Sequence, residues 1–465
     1  MGDRPEIIDP SHDDAIAAVA SNAIGGRFGR YARRGAQWWS PLRVLIAMTG
    51  LAYFIGYALD KSCRETGWAS PERYEHLCYS DIPPLYSLRG FADGLIPYLQ
   101  TQPGQTPLEY PVITGIFMQV AAVLTRIATG IFGELDAART FFDINVALLL
   151  IPLVIAVVAT ALTVRRRPWD AAMVAIAPTV ILAATVNWDL LPLAFAGVAL
   201  LLWARSHPLA AGILLGLAIA AKFYPIFFIG AFLILTIRTG KWRALRSLLI
   251  GTAGAWLIVN LPFMIGNFQG WSFFYTFSQE RGQDFGSIWF ALSQLGLPSV
   301  PADSLNLLAS GIFIALCAGI GILALTTKRR PRLAPLLFLI IAAFVITNKV
   351  YSPQYVLWLV PLAVMARPRW RDFLIWQVGE VVYFVAIWWF LVGYGTTDTK
   401  GLTPQWYAVA TFVHIAVTCW FAGMIIRDMI SPEHDSIRTD GFAEDSDDPG
   451  GGVYDNAPDV FTLTR

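Results

Sequence analysis

The sequence predicts an all-α fold, a polytopic bundle of transmembrane helices. Two observations predict it. Apolar residues make up 56% of the 465 residues and charged residues only 14%, whereas a soluble chain carries about 25% charged residues. The apolar residues fall in long stretches, and clusters of Lys and Arg separate these stretches. The net charge of +1 offers no basic excess of the kind that nucleic-acid binding requires.

The start of the chain sets the orientation. The polar N-terminal segment carries four basic residues shortly before the first apolar run: Arg27, Arg30, Arg33 and Arg34. Positive flanks stay in the cytoplasm, so we assign residues 1–40 to a cytoplasmic segment and residues 41–430 to the transmembrane domain. The first span is Leu42–Leu59, and residues 60–142 contain the first outer loop.

Basic clusters and polar breaks alternate along the rest of the chain. The clusters are Arg165–Arg167, Arg205, Arg238–Arg246, Lys328–Arg332, Arg367–Arg371 and Arg427. Each apolar stretch between clusters is long enough for two spans and is broken near its middle, at residues 187–189, 222–225, 266–304, 348–353 and 394–405. Placing every cluster inside puts every break outside. This arrangement predicts about 12 spans with both termini in the cytoplasm.

One apolar segment would disturb this alternation. If Val112–Phe132 crossed the membrane, the cluster Arg165–Arg167 would move outside. Gln119 and Arg126 give the segment a polar side, as in a helix that lies at the membrane interface. We therefore predict a juxtamembrane helix in the first outer loop.

Several predicted spans are short. Ala171–Val186, Leu209–Ala221 and Tyr355–Met365 fall below the length of a full crossing, which takes about 20 residues. Short helices that end in polar loops predict an outer cavity cut into the membrane. Longer single helices with buried polar kinks are the alternative.

The last segment, residues 431–465, is acidic and rich in Asp, Gly and Ser. It lacks the apolar residues that a packed core needs, so we predict a disordered cytoplasmic tail. In the first outer loop, Cys63 and Cys78 would form a disulfide in an oxidising compartment. Two free thiols are the alternative.

Asp81 is the candidate general base. It lies in the first outer loop, directly before a segment stiffened by Pro83 and Pro84. A carboxylate near a membrane boundary loses solvation, and its pKa rises toward the range useful for a base. The alternative is that Asp81 only ends a turn. Glu109 either borders the same pocket or caps the helix that follows Pro111.

Three cations lie on separate outer segments: Lys222, Lys349 and Arg281. A single lysine would be read as reaching for the headgroups. Three of them, with helices beginning beside two, are typical of an anion site. A base and a group of cations at a water–lipid boundary favour transfer of a group from a lipid-linked phosphate, since the leaving phosphate needs positive charge.

Five segments carry a family resemblance: Tyr79-Ser80-Asp81, Glu109-Tyr110-Pro111, residues 187–192, residues 222–225 and residues 348–355. In this order they resemble the GT-C superfamily of membrane glycosyltransferases. They are most similar to glycosyltransferase family 87, which includes actinobacterial polyprenyl-phosphomannose-dependent mannosyltransferases. The chain departs from the pattern at Val112, where many relatives have a second proline.

The resemblance implies a GT-C fold in a bacterial plasma membrane, with the active site on the outer face. It places the essential acidic role on Asp81. It implies a polyprenyl-phosphate sugar donor with mannose favoured, a glycolipid or cell-envelope glycan acceptor, and inversion by a single displacement. The predicted substrate-binding set is Lys222, Lys349, Arg281, Asp189, Glu109, Tyr110, Tyr351 and Gln354.

Other roles stay open in the sequence. Asp189 either orients a lysine or a sugar hydroxyl, or simply pairs with Lys222. The aromatic candidates for stacking on a sugar are Trp188, Tyr224, Tyr351, Tyr355 and Trp289. No cofactor is expected; Asp81, Glu109 and Asp143 are the only carboxylates considered for a divalent metal, and nothing in their spacing supports one.

Two other function classes compete with the transferase. A transporter or flippase of a lipid-linked saccharide needs charges along a path across the bilayer, and only Glu380 lies away from the outer set. An inactive scaffold subunit would tolerate replacement of Asp81. The sequence does not determine the oligomeric state.

Overall fold

The structure, a computed structural model, describes residues 7–9, 14–29, 39–393, 401–441 and 447–463. These ranges form α-helices joined by loops and short 3-10 turns, with no β-strand among them. The predicted all-α fold is confirmed. Some residues named in the predictions lie outside the described ranges: Arg30, Arg33 and Arg34, residues 394–400 of the last break, and residues 442–446 and 464–465 of the tail.

The first third of the chain contains the loop that carries Asp81. Its helices are α1 (Ala15–Gly29), α2 (Pro41–Leu59), α3 (Lys61–Thr66), α4 (Glu72–Glu75), α5 (Ile82–Leu88), α6 (Val112–Ile131) and α7 (Ala137–Thr163). Local sequence sets the starts of the long helices. The Ser40 side chain accepts a hydrogen bond from the backbone N–H of Arg43, and Asp136 accepts one from Arg139 at 2.7 Å. Both are N-caps.

The middle of the chain forms short, closely packed helices. They are α8 (Ala172–Ala175), α9 (Pro178–Ala183), α10 (Leu190–Ala204), α11 (Pro208–Ala221), α12 (Phe228–Thr239) and α13 (Trp242–Gly266). Gly212 and Gly216 let α11 approach α13, since an added Cβ would lie 2.1 Å from the Leu248 carbonyl oxygen and 2.4 Å from that of Thr252. Small residues four apart are a common contact between membrane helices.

The last part of the chain begins with the long loop that carries Arg281. Its helices are α14 (Phe268–Glu280), α15 (Ile288–Gln294), α16 (Ala302–Thr326), α17 (Leu333–Thr347), α18 (Val356–Ala366), α19 (Trp370–Val392) and α20 (Pro404–Ile430). The predicted breaks at Lys222 and Lys349 both fall between helices. A 3-10 turn follows each break, at Tyr224–Phe227 and Pro353–Tyr355.

One end of the bundle gathers the basic clusters, and we call it the basic side. The Arg205 guanidinium donates to the Leu162 carbonyl at 2.6 Å, and Arg332 donates to the Met365 carbonyl at 2.9 Å. Clusters that are distant in sequence thus meet at one level of the molecule. This is the grouping that the positive loops predict.

The opposite end gathers the polar breaks, and we call it the Asp81 side. The backbone N–H of Asp81 donates to the Val186 carbonyl at 2.8 Å. The N–H of Asp284 donates to the Lys349 carbonyl, also at 2.8 Å. The breaks therefore meet at one end of the bundle.

Helix α6 contacts the end of α11 near its own start and the first loop further along. Near its start the Thr114 hydroxyl donates to the Ala221 carbonyl at 2.7 Å, where α11 ends. Near its other end Arg126 donates to the Phe91 carbonyl of the first loop at 2.6 Å. Helix α6 is long and apolar enough to span a bilayer, and the juxtamembrane placement of this segment stays a prediction.

The helices have the lengths and composition of a multi-pass membrane protein. Seven described helices are long and apolar enough to span a bilayer: α2, α6, α7, α13, α16, α19 and α20. Shorter apolar segments accompany them: α10, α11, Tyr224–Thr239, α17 and Pro353–Ala366. The count of about 12 crossings stays a prediction.

The prediction of a disordered tail at residues 431–465 is wrong for the described part. Residues 447–463 pack on the basic side. Tyr454 is fully buried there, and Asp459 forms an ion pair with the buried Arg238 at 2.8 Å. The composition of the tail did not predict this because the rest of the chain supplies its partners.

The first loop is tied together covalently and by charge. Cys63 and Cys78 are joined in a disulfide, with their Cα atoms 5.9 Å apart. Arg64 forms a bidentate pair with Asp143 of α7, at 2.8 and 2.7 Å. These links hold the loop against the end of the bundle where Asp81 lies.

Candidate active site

Two adjoining cavities lie at the Asp81 side. The first, of about 480 Å³, is lined by Asp81, and we call it the Asp81 cavity. The second, of about 540 Å³, is lined by Lys349, and we call it the Lys349 cavity. Some residues line both: Lys222, Phe274, Ser278, Arg281 and Tyr355. The predicted outer cavity therefore has two parts, which meet at two cations.

Asp81 occupies a fixed position in the first cavity. It directly precedes α5, which begins Ile82-Pro83-Pro84, and its backbone N–H is bound to Val186. The Tyr79 hydroxyl donates to Oδ1 at 2.7 Å, and the Tyr110 hydroxyl donates to Oδ2 at 3.3 Å. Burial raises the pKa of the Asp81 carboxyl, while the Tyr79 hydrogen bond and the charge of Lys222 oppose the rise. This is the direction expected of a general base.

Glu109 and Tyr110 lie in the same cavity but do different things. Glu109 forms a bidentate ion pair with Arg89 at 2.6 and 2.8 Å. It does not cap α6, whose first turn has no side-chain cap. Tyr110 packs against the Trp188 ring at an interplanar angle of 80° and donates to Asp81, so it links the first loop to the break at residues 187–189.

Lys222 sits at the junction of the two cavities. Its ammonium is 2.7 Å from Asp189 Oδ1 and 5.2 Å from the centre of the Tyr110 ring. Asp189 is only 1% exposed, lines neither cavity, and also accepts from Trp358 Nε1 at 3.1 Å. Of the predicted alternatives for Asp189, the structure places it as the buried partner of Lys222.

Arg281 and Lys349 are brought together by paired loops. Asp284, which pairs with the Arg281 guanidinium, donates its backbone N–H to the Lys349 carbonyl. The Lys349 ammonium donates to the Gln279 carbonyl at 2.9 Å and to Asn306 Oδ1 at 2.6 Å. Arg281 lines both cavities, whereas Lys349 lines only the second. Lys222 and Arg281 thus lie at the junction, and Lys349 lies in the second cavity alone.

Of the remaining predicted residues, one lines the Asp81 cavity and the others lie elsewhere. Gln354 lines the Asp81 cavity. Tyr351 does not: it is 1% exposed, and its ring centre lies 4.3 Å from that of His414. Glu380, expected to meet a polar partner within the bundle, accepts from Trp376 and Thr418 and contacts His414.

The carboxylates considered for a metal have separate partners. Asp143 is bound to Arg64, and Glu109 is bound to Arg89. Asp81 instead accepts from tyrosine hydroxyls. Among the residues that the structure describes, no three His, Cys, Asp or Glu side chains are grouped to hold a metal ion.

The sequence missed one wall of the Asp81 cavity. Tyr74, Tyr79 and Trp388 line it, and we call them the aromatic wall. Of the aromatic candidates named from the sequence, only Tyr355 lines that cavity. Tyr74 and Tyr79 share the loop with Asp81 and could have been named for that reason. No sequence signal pointed to Trp388 of α19.

The crystal structure of ArnT from Cupriavidus metallidurans bound to undecaprenyl phosphate resembles this chain with a TM-score of 0.42 and 16% identity, over 84% of this chain and 79% of that one. Curated proteins gave no significant match.

The sequence profile of glycosyltransferase family 87 matches residues 109–347. This range holds three of the five resembling segments whole, with Glu109-Tyr110-Pro111 at its start, and it runs through α17. The match covers more than half of the chain, and the protein therefore belongs to glycosyltransferase family 87, the family of membrane glycosyltransferases that its motifs resemble.

Proposed function

We propose that this glycosyltransferase moves a sugar, with mannose favoured, from a polyprenyl-phosphate donor to a glycolipid or glycan acceptor. One observation carries the proposal: a candidate base, Asp81, and two cations, Lys222 and Arg281, line one cavity. A base is needed where the acceptor hydroxyl loses its proton. Cations are needed where the phosphate leaves.

The proposed reaction is a single displacement. The Asp81 carboxylate takes the proton of the acceptor hydroxyl as the hydroxyl oxygen forms a bond to the anomeric carbon. The bond from that carbon to the phosphate oxygen breaks, and its electron pair stays on the phosphate. Lys222 and Arg281 stabilise that added charge. Attack opposite the leaving group inverts the anomeric carbon.

The Lys349 cavity suits the lipid side of the donor. Aromatic and apolar side chains line much of it, including Phe223, Tyr275 and Phe344. Its polar lining residues include Lys349, Asn306 and Ser310 as well as the two shared cations. A phosphate at the junction would leave its sugar in the Asp81 cavity and its isoprenoid chain in the Lys349 cavity.

We also propose that the Asp81 side faces the cell exterior, in a bacterial plasma membrane, with both termini in the cytoplasm. The basic clusters at the opposite side support this orientation. The Cys63–Cys78 disulfide supports it as well, because disulfides persist in oxidising compartments. A transporter finds less support, since Glu380 is enclosed by Trp376, His414 and Thr418.

The first test is the substitution Asp81→Asn. Transfer from polyprenyl-phosphate mannose should fall by about 10²- to 10⁴-fold, the usual share of a general base. Binding of undecaprenyl phosphate should persist, because the cations are untouched. Asp93→Asn, an exposed carboxylate of the same loop, is the matched control and should keep full activity. Full transfer by Asp81→Asn would show that Asp81 is not the base. A preference for a pentose donor such as polyprenyl-phosphate arabinose would show that the transferred sugar is not mannose.

A further inference from the structure

We propose that two residues of α20, Tyr407 and His414, position the donor site from within the bundle. They hold the backbone of Gly286 and so fix the loop that carries Arg281. This inference rests on the proposed function, because it assigns the groups that keep one of the two shared cations in place. Neither residue lines either cavity, and no sequence motif singled them out.

Both polar groups of the Gly286 backbone meet a side chain of α20. The Gly286 N–H donates to the Tyr407 hydroxyl oxygen at 2.8 Å, and the Gly286 carbonyl oxygen lies 3.4 Å from His414 Nε2. Tyr407 and His414 are about two turns apart, a spacing that places both on one face of the helix. Gly286 is buried, and a buried backbone group without a partner is costly. The loop therefore keeps its shape only while both side chains are in place.

The loop carries this constraint from Gly286 to Arg281. Asp284, two residues before Gly286, forms an ion pair with the Arg281 guanidinium. The Ser287 hydroxyl donates to the Asp284 carbonyl at 2.7 Å, which closes the loop on itself. Phe285, between Asp284 and Gly286, lines the Asp81 cavity together with Arg281. Gly286 is thus the buried anchor of a short loop whose other side chains reach the cavity.

The two α20 side chains are themselves fixed by packing. Both are fully buried. The Tyr407 ring stacks on that of Phe390 in α19, with the centres 4.3 Å apart and an interplanar angle of 18°. The His414 ring packs against Tyr351 and Tyr383, whose ring centres are 4.3 and 4.1 Å away. Side chains locked in this way can hold another group in a precise position.

Glu380 explains how His414 can donate to Gly286. The Glu380 carboxyl accepts from Trp376 and Thr418, and its Oε2 lies 3.2 Å from His414 Nδ1. A buried pair is least costly when it carries no net charge. The proton between Glu380 and Nδ1 then belongs to one or the other, and in both cases Nε2 keeps its hydrogen. The buried pair therefore keeps a donor directed at the Gly286 carbonyl.

The experiment compares two deletions of a buried tyrosine hydroxyl in the full-length protein in nanodiscs. Tyr407→Phe keeps the ring and removes the acceptor of the Gly286 N–H. Tyr53→Phe is the matched control, because the buried Tyr53 also bonds the backbone, donating to the Val146 carbonyl at 2.8 Å. Hydrogen–deuterium exchange of the peptide covering residues 281–290 should become about tenfold faster in Tyr407→Phe and stay unchanged in Tyr53→Phe.

Undecaprenyl phosphate, added to the same samples, tests whether this constraint matters to the donor site. Its dissociation constant should rise by about tenfold in Tyr407→Phe and not in Tyr53→Phe. In an Arg281→Gln background, Tyr407→Phe should cause no further loss, because the hydroxyl acts through Arg281. A residue that only stabilises the fold would give the same loss in both backgrounds.

Two variants of His414 separate its donor from the bulk of its side chain. His414→Gln and His414→Leu both remove the imidazole from Glu380, but the glutamine amide can still donate to the Gly286 carbonyl. His414→Gln should therefore bind undecaprenyl phosphate more tightly than His414→Leu. Equal affinities would show that the site needs no donor at this position. If neither variant folds, Tyr407→Phe carries the test.

The two measurements distinguish this inference from the proposed function. If the wild type does not bind undecaprenyl phosphate, the proposed function fails, and exchange still decides whether Tyr407 holds the loop. If the wild type binds it and Tyr407→Phe matches the wild type in exchange and affinity, the positioning role is refuted while the donor proposal stands. Faster exchange with unchanged affinity, or equal losses with and without Arg281, would refute the positioning role as well.

Discussion

At Asp81 two effects act against each other. Removal from water favours the neutral acid, whereas the Tyr79 hydrogen bond and the nearby charge of Lys222 favour the carboxylate. The balance leaves the pKa of Asp81 raised. A raised pKa makes a carboxylate a stronger base, provided that the site works above that pKa.

This balance predicts an acidic limb in the pH profile of transfer. As pH falls through the raised pKa, Asp81 takes up a proton and can no longer act as a base, so the rate falls. Tyr79→Phe removes a hydrogen bond that stabilises the carboxylate, and it should move the limb to higher pH while keeping the ring. The measurement is kcat/KM against pH for both proteins. A limb that moves to lower pH, or that persists unchanged in Asp81→Asn, would contradict this assignment.

Lys222 illustrates how a cation is kept at a cavity wall in a membrane protein. Asp189 lies behind it, 1% exposed, and also accepts from Trp358. Removing one member of a buried pair leaves the other uncompensated, at a cost of about 3–5 kcal/mol. The pair fixes the ammonium where we propose that the phosphate binds. A bound phosphate would share this cation with Asp189.

At the scale of elements, the position of the loop after α14 depends on the segment after α17. Their backbones pair through Asp284 with Lys349 and through Phe285 with Tyr351. Gly286 lies within this pairing at φ +77°, where a side chain is strained. An added Cβ would meet the Tyr351 carbonyl oxygen. The positions of Arg281 and Lys349 thus depend on one another.

Gly286→Ala should therefore act on the donor site. The loop must move away from Tyr351, at a strain of about 1–3 kcal/mol, and the affinity for undecaprenyl phosphate should fall by about tenfold or more. Gly282→Ala is the control, since an added Cβ there meets nothing within 4 Å. Isothermal titration of both variants decides the point, and equal affinities would mean that the loop does not position the cations.

At the scale of the whole molecule, the tail residues 447–463 pack against the basic side. Arg330 pairs with Asp459 at 2.9 Å and with Asp447 at 3.3 Å. The Tyr454 hydroxyl donates to the Phe232 carbonyl at 2.8 Å. The tail joins α10, α12, α16 and α17, and it lies at the opposite end from the cavities.

Tyr454→Ala should destabilise the protein without changing the site. Truncating a fully buried aromatic ring costs about 3–5 kcal/mol. The unfolding temperature in detergent should fall clearly, while undecaprenyl phosphate still binds at temperatures where the variant is folded. Phe461→Ala, a partly exposed aromatic of the same tail, should have little effect. Equal losses in the two variants would contradict an anchoring role for Tyr454.

The proposed orientation predicts a labelling pattern in intact cells. The background is the chain with its free cysteines replaced, Cys317→Ser and Cys419→Ser. A membrane-impermeant thiol reagent should then label Gln102→Cys, exposed in the first loop, but not Arg243→Cys, exposed on the basic side. The reverse pattern would place the cavities in the cytoplasm and exclude a donor presented outside.

Part of the site was predictable because its signal is local. Asp81, Lys222 and Lys349 are charged residues between apolar runs, and charge beside hydrocarbon is costly enough to be informative at single positions. The side on which they lie also follows from the loops, residue by residue. Tyr351 shares the segment of Lys349, yet its side chain turns toward His414. Proximity in sequence does not set the direction of a side chain.

The sequence by itself determined the membrane class and the grouping of breaks and basic clusters at opposite ends, since both follow from charge and apolar length along the chain. Its motifs and the profile match over residues 109–347 determined the family. Only the tertiary structure decided which side chains face the cavities. Trp388 joins Tyr79 across about 300 residues, and the acidic tail finds Arg238 and Arg330. The physical reason is that a uniformly apolar helix carries no local mark of which face packs inward, and a buried pair exists only once both partners have met.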